Sequence, residues 1–352
     1  MCKVAICIPC YEQKELLERL LKSIEIQTYR DFIVIISDDS ESTEIEKLIT
    51  NYNKFRIFYH KNKERLGSAR NTNYVMSLAR KFNPLYIKIM HHDDYFSFDY
   101  SLYQMVRMLD MNESADIAFC GTYEVSRDGK FSRAITDQQI ELLREDARVL
   151  LLKNGIGAPS ATIIRNIGIS MDEELVWNVD VDWYIRILMS NAQFVFSKEP
   201  LISIGLSETQ VTNSCLDNPE LTFRESVYLY RKYFAEHTDE YIERVLKEAE
   251  HYLKMQKILK ECQGMTDLYV YGAGIWGRRV ARFLKNNNII FQGFIVSDGR
   301  KEMSLLDEHP IFEIGEIEAN LNSKSKIILA IKDKSAAISI LKNLKGKKIY
   351  TI

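Results

Sequence analysis

The stretch Leu85-Tyr-Ile-Lys-Ile-Met90, followed at once by His91-His92-Asp93-Asp94, decides how this chain is read. A short apolar run that follows Asn83-Pro84 has the length of a buried strand. It ends in a burst of polar, ligand-type side chains. The same layout recurs upstream. Val4 to Ile8 is an apolar run closed by Pro9, with Cys10-Tyr11-Glu12 behind it. Phe32 to Ile36 runs into Ser37-Asp38-Asp39-Ser40, and Phe55 to Tyr59 forms a third strand. Helical patterns lie between them. Leu16, Leu17, Leu20, Leu21 and Ile24 recur at helical spacing, and Thr43 to Tyr52 and Gly67 to Phe82 also read as helices. Strands alternating with helices, each strand almost wholly apolar, predict an α/β fold on a parallel sheet covered on both faces.

In such sheets ligands bind beyond the carboxyl ends of the strands. Three polar clusters therefore converge on one carboxylate-rich crevice. Like charges held close together are costly unless something neutralises them. A hard divalent cation does so, and it commonly completes its shell with phosphate oxygens. An Asp pair after a strand also serves as a turn or helix cap, so one pair alone carries little. Two pairs at neighbouring strand ends point to a metal–nucleotide site.

Composition bounds the rest. The 352 residues suggest two domains at roughly 150 residues each. Lys plus Arg is 47 and Asp plus Glu is 49, a net charge of −2, which argues against a nucleic-acid binder on overall charge. No run approaches the ~18 apolar residues of a membrane helix, and the N-terminus lacks a signal-peptide layout. The expected location is the cytoplasm, with a peripheral position at the inner face of the membrane left open. Six cysteines are scattered, and Cys7-x-x-Cys10 has no second pair to complete a metal site.

Downstream, Tyr100 to Met111 reads as a helix, Asp116 to Cys120 as a strand and Ile140 to Lys153 as another helix. Gly155-Ile-Gly-Ala-Pro-Ser-Ala161 is a small-residue loop that lets a substrate approach the backbone. Asp180 precedes a helix whose apolar face is Val181, Ile185 and Leu188.

As a set, Val4-Ala-Ile-Cys-Ile-Pro-Cys-Tyr11, Gln27-Thr-Tyr29, Ile35-Ile-Ser-Asp-Asp-Ser40, Gly67-Ser-Ala-Arg-Asn71 and His92-Asp-Asp94 resemble the GT-A glycosyltransferases of family two in order and spacing. The resemblance covers about residues 1 to 230. It implies transfer of a sugar from a nucleotide diphosphate sugar, here a UDP-sugar, to a glycan or lipid-linked glycan acceptor. Carried over residue by residue, Pro9 and Tyr11, with Glu12 beside them, fall in the uridine-contacting turn. Asp38 and Asp39 match the acidic pair that reads the base, and Arg70 an Arg near the nucleotide. Asp93 and Asp94 match the ribose- and metal-holding acids, with Mn2+ or Mg2+ as the implied cofactor. Asp180 matches the general base, and Asp182 is the fallback or an acceptor-side residue. Two positions depart from the family: His91 stands where an Asp is usual, and Val179 where a Glu is usual. An imidazole suits manganese or zinc better than magnesium. Ser207 to Asn213 resembles a loop that closes over the nucleotide.

From Pro219 to Gly264 the pattern is helical and charged, with an aromatic stripe of Tyr228, Tyr230, Tyr233, Phe234, Tyr241 and Tyr252. Packing within the fold is the expected use of the stripe; a homo-oligomer or membrane-surface contact is the alternative. Then Gly272-Ala-Gly274-Ile-Trp-Gly277 shows the dinucleotide spacing, and Asp298 follows 21 residues later. This stretch resembles small Rossmann-like domains in which the turn is kept for close strand–helix packing. The expected domains are residues 1–218 (GT-A), 219–264 (helical linker) and 265–352 (Rossmann-like). Two rival functions stand beside the transferase: a nucleotide-sugar oxidoreductase using Gly272, Gly274 and Gly277, and a non-catalytic sugar-nucleotide scaffold.

Overall fold

The computed structural model describes residues 2–126, 129–190, 193–206, 215, 217–234, 239–318, 321, 325–331 and 348–351. The chain forms two compact units, residues 1–210 and 211–352. The helical stretch expected as a linker therefore groups with the C-terminal part.

The first unit opens as the sequence pattern predicts: β1 (Val4–Cys10), α1 (Lys14–Glu25), β2 (Phe32–Asp38), α2 (Glu44–Ile49), β3 (Ile57–Lys61), α3 (Ser68–Arg80) and β4 (Tyr86–Ile89). These four strands are parallel, in the order β3-β2-β1-β4. Strand order reverses at β1, so the carboxyl ends of β1 and β4 flank a switch point, where open α/β sheets place ligands. Leu17, Leu20, Leu21 and Ile24 of α1 are fully buried in one core with Val4, Ile6 and Ile8.

Pro9 does not close β1; the strand runs on to Cys10, with Pro9 opposite Ser37. The missing N–H costs nothing there. The Cys7 carbonyl accepts from Met90 on the β4 side, so Pro9, two residues on, faces the same way, where β4 has already ended at Ile89.

Beyond the four parallel strands the sheet becomes mixed. β8 (Thr162–Arg165) runs antiparallel to both β4 and β6 (Ala115–Ser126), and β9 (Gln193–Gly205) pairs parallel with β6. β5 (Tyr95–Phe96) closes the far edge and β7 (Gly129–Arg133) pairs with β6. α4 (Ser101–Asp110) lies as expected. The helix expected over 140–153 breaks in two. α5 (Asp137–Glu145) ends at Asp146, which turns extended and uses its carboxylate to accept from the Arg148 N–H, starting a 3₁₀ turn over Ala147–Leu151. α6 (Val179–Met189) begins one residue before Asp180, with Asn178 at the N-cap.

In the second unit α7 (Pro219–Tyr233) and α8 (Asp239–Cys262) pack through stacked Tyr230, Phe234 and Tyr241, with Phe223 on Tyr252. The aromatic stripe is thus largely internal packing. β10 (Leu268–Tyr271), α9 (Ile275–Asn286) and β11 (Gly293–Val296) follow. The sheet continues to β12 (Leu305–Leu306), β13 (His309–Glu313), β14 (Lys326–Leu329) and β15 (Lys348–Thr351), in the order β12-β13-β11-β10-β14-β15, parallel except for β12. Strands thus lie on both sides of β10. Gly277 is required by packing, because a Cβ there would lie 1.8 Å from the Gly272 carbonyl oxygen. Gly274 has open space and an ordinary φ of −82°. Asp298 accepts from the Gly315 N–H at 2.9 Å.

Candidate active site

The crevice beyond β1, β2 and β4 is built from buried acids with distinct jobs. Asp38, the last residue of β2, is fully buried. Its Oδ1 accepts from the Ser40 N–H at 2.8 Å and the Ser40 hydroxyl at 2.5 Å, and its Oδ2 from Tyr59 at 2.7 Å and Lys61 at 3.2 Å. Burial pushes its proton affinity up, but these donors outweigh it and hold the carboxyl below its ordinary value. Asp38 thus anchors the strand end rather than opening to the crevice. Asp39 accepts from Asn62 at 2.6 Å and from the backbone N–H groups of Leu66 and Gly67 at 3.2 and 2.9 Å. It organises the loop that leads into α3.

Glu12 sits at φ 50° and ties the β1 turn to α2 by accepting from the Glu41 N–H at 2.7 Å and the Ser42 hydroxyl at 2.8 Å. Tyr11 stays 37% exposed, with the Arg65 guanidinium 4.0 Å from its ring centroid. Arg70 is exposed and reaches Glu173 at 3.4 Å. In this state it pairs with an acid of the 166–178 loop.

At the end of β4, ligand atoms of His91, Asp93 and Asp94 all lie within 4.8 Å of one another. The chain turns tightly here, with the Asp94 N–H donating to the His91 carbonyl at 3.0 Å. Asp94 is buried, and its Oδ1 accepts from the Gly205 N–H at 3.1 Å. Burial, then the neighbouring Asp93 charge, push its carboxyl up to about 8. Burial likewise lowers both His91 and His92, so both rings favour the neutral, ligand-competent form. The His92 Nε2 is buried without a hydrogen-bond partner among the described residues. Arg19 of α1 donates to the Asp93 carbonyl at 2.5 Å, and its guanidinium lies over Tyr95. Gly205 is needed where β9 crosses, since a Cβ would sit 2.4 Å from that same carbonyl oxygen. Two acids and one imidazole, partly open and close enough to share an ion, fit a divalent cation, and the imidazole favours manganese over magnesium.

Asp180 stands in the first turn of α6. Its Oδ1 accepts from the Val181 N–H at 2.8 Å and its Oδ2 from Asn154 at 3.1 Å. Burial pushes its carboxyl up to about 6. Loss of water is the leading cause. Arg186 pairs with Asp182 at 2.8 Å, one helical turn away, and not with Asp180. Asp182 is fully buried in that ion pair.

The sequence reading missed Lys88, Asn154, Ser160 and Arg19. One signal was available: Lys88 is a charged residue inside the apolar run Tyr86-Ile-Lys-Ile-Met90. Ser207 to Asn213 lies outside the described residues.

Residues 5–167 match glycosyl transferase family 2. That segment resembles a family 2 glycosyltransferase domain. Over 131 residues the chain is 37% identical to abequosyltransferase RfbV of Salmonella typhimurium, covering 36% of this chain and 37% of that protein. It is 24% identical over 228 residues to the glycosyltransferase RT0329 of Rickettsia typhi, covering 62% and 68% respectively. The chain thus spans little more than a third of RfbV. Its structure is similar to that of S. aureus TarS 1-349 solved with UDP-GlcNAc, at a TM-score of 0.52 and 16% identity over 74% of this chain and 76% of that one. This likeness bears out the GT-A fold. The family 2 segment contains β1, β2, β4 and the whole His91–Asp94 cluster, whereas Asp180 lies beyond it. Among the described residues no helix is long and apolar enough to cross a membrane.

Proposed function

We propose that the chain is an inverting, metal-assisted glycosyltransferase that moves a sugar from a nucleotide diphosphate sugar to a glycan or lipid-linked glycan in bacterial surface polysaccharide synthesis. The observation that carries this reading is the His91–Asp93–Asp94 cluster at the switch point of a domain that resembles family 2. His91, Asp93 and Asp94 would hold Mn2+ or Mg2+, which supplies positive charge beside a leaving diphosphate. Pro9, Tyr11, Glu12 and Asp39 border the nucleotide, with a UDP-sugar as the first donor to try. Asp38 supports them from below, and Arg70 can leave exposed Glu173 for a phosphate at little cost. Asp180 takes the proton of the acceptor hydroxyl as the new bond forms. A buried carboxylate whose affinity has been raised toward neutrality is a better base than an exposed one and remains ionised at pH 7. Asp182, locked to Arg186, keeps α6 in place.

The oxidoreductase reading is not favoured, since the family match falls on the other unit and Gly277 has a packing role. A donor screen reading nucleotide release, with manganese and then magnesium, tests the proposal. No release from any nucleotide sugar by folded protein would overturn it and favour a binding scaffold. No thermal stabilisation by NAD is expected.

A further inference from the structure

Lys88 lies in the middle of β4 between Ile87 and Ile89, and its side chain is fully buried. A buried ammonium is expensive, and an apolar residue would be cheaper at this position. What surrounds it indicates a use. The Lys88 ammonium donates to the Ser160 carbonyl and, at 3.2 Å, to the Ile89 carbonyl; it also sits 5.7 Å from the Phe96 ring centroid. Burial lowers its proton affinity, to about 7, against the opposing pull of the Cys120 and Asp94 charges.

Ser160 is the hub of two networks. Its Oγ accepts from the His91 N–H at 2.9 Å, so it braces the turn that carries the acid cluster. Its backbone ends the 154–161 loop. At the other end of that loop the Gly157 carbonyl accepts from Asn154 at 3.2 Å and from buried Tyr184 at 3.1 Å, and Asn154 donates to Asp180. One short loop thus joins the leaving-group side to the acceptor side, and Lys88 pins it to the central strand.

We propose that Lys88 is a positioning residue for sugar transfer: its ammonium holds Ser160 so that the His91–Asp94 cluster and Asp180 keep one fixed separation. This rests on the transferase reading above. In-line transfer needs the attacking oxygen and leaving phosphate aligned, and small misplacements are costly in rate. A charge-assisted hydrogen bond is strong enough to enforce that alignment. Water needs less alignment than a bound sugar hydroxyl, so loss of the pin should harm transfer more than donor hydrolysis.

The test is Lys88→Met, which keeps length and removes the donor. Hydrogen exchange of the 157–161 amides should quicken about tenfold, and the ratio of transfer to donor hydrolysis should fall about tenfold. UDP binding with manganese, by calorimetry, should stay within about twofold, because those contacts are left in place. Parent-like exchange together with a parent-like ratio overturns the proposal. If Lys88→Met does not fold, Lys88→Gln decides. Its shorter amide cannot serve both carbonyls and should show the same two changes at about threefold; parent values for both overturn the proposal equally. A parent protein that processes no nucleotide sugar refutes the transferase reading instead, while the exchange measurement still judges Lys88.

Discussion

Replacing Asp180 by Asn removes the proposed base while keeping its shape. The Asn oxygen can still accept from the Val181 N–H, now held by Asp180 at 2.8 Å, so α6 should keep its first turn. General-base help is worth ~10²–10⁴ in rate, or about 3–5 kcal/mol of barrier. The pH profile carries the sharper information. The Asp180 carboxyl is pushed up to about 6 by burial, so the parent rate should climb about tenfold per unit below that value and level off above it. In Asp180→Asn that limb should vanish. Asn154→Ala should move it upward by about one pH unit, because the ionised form loses one charge-assisted hydrogen bond of ~1.5 kcal/mol and one unit is worth ~1.4 kcal/mol. Initial transfer rates across roughly pH 5 to 8.5 at saturating manganese would measure this. A parent-like rate in Asp180→Asn, or an acid limb that survives in it, would refute the assignment. Asp182→Asn should instead lower the melting temperature, by freeing the Arg186 guanidinium it now neutralises.

Three further outcomes are expected. Asp93→Asn and Asp94→Asn should each weaken manganese binding at least about tenfold in calorimetry without unfolding the protein; unchanged affinity in both removes the metal site from this cluster. Asp38→Ala should cost about 1–3 kcal/mol in urea unfolding, since it strands the half-buried Tyr59 and Lys61 donors. Asp38 has a lowered folded-state value, so its stabilisation is present above the unfolded value of ~3.9 and is lost as pH falls through the folded one; the gap between Asp38→Ala and parent should therefore narrow below about pH 4. Gly277→Ala should destabilise the C-terminal unit by several kcal/mol because of the 1.8 Å overlap with Gly272, whereas Gly274→Ala should change stability by less than ~0.5 kcal/mol; equal effects would contradict the packing account of that turn.

The parallel half of the first unit, and the meeting of its polar clusters, were legible in the residues themselves. Apolar runs the length of strands, helical spacing of Leu17, Leu20, Leu21 and Ile24, and polar endings at Asp38 and His91 are local signals that need no partner to be read. Right-handed crossovers then place those endings on one edge of the sheet. Tertiary structure decided the rest. It took Asp38 out of the crevice by surrounding it with Ser40, Tyr59 and Lys61, and it kept Arg186 for Asp182. It turned β8 against β4 and brought Ser160, 72 residues away in sequence, onto Lys88. It raised Asp180 by burial. A sequence displays which side chains can ionise or donate, but desolvation and the choice of partner depend on what the folded chain packs around each group, and that is set by contacts far apart along the chain.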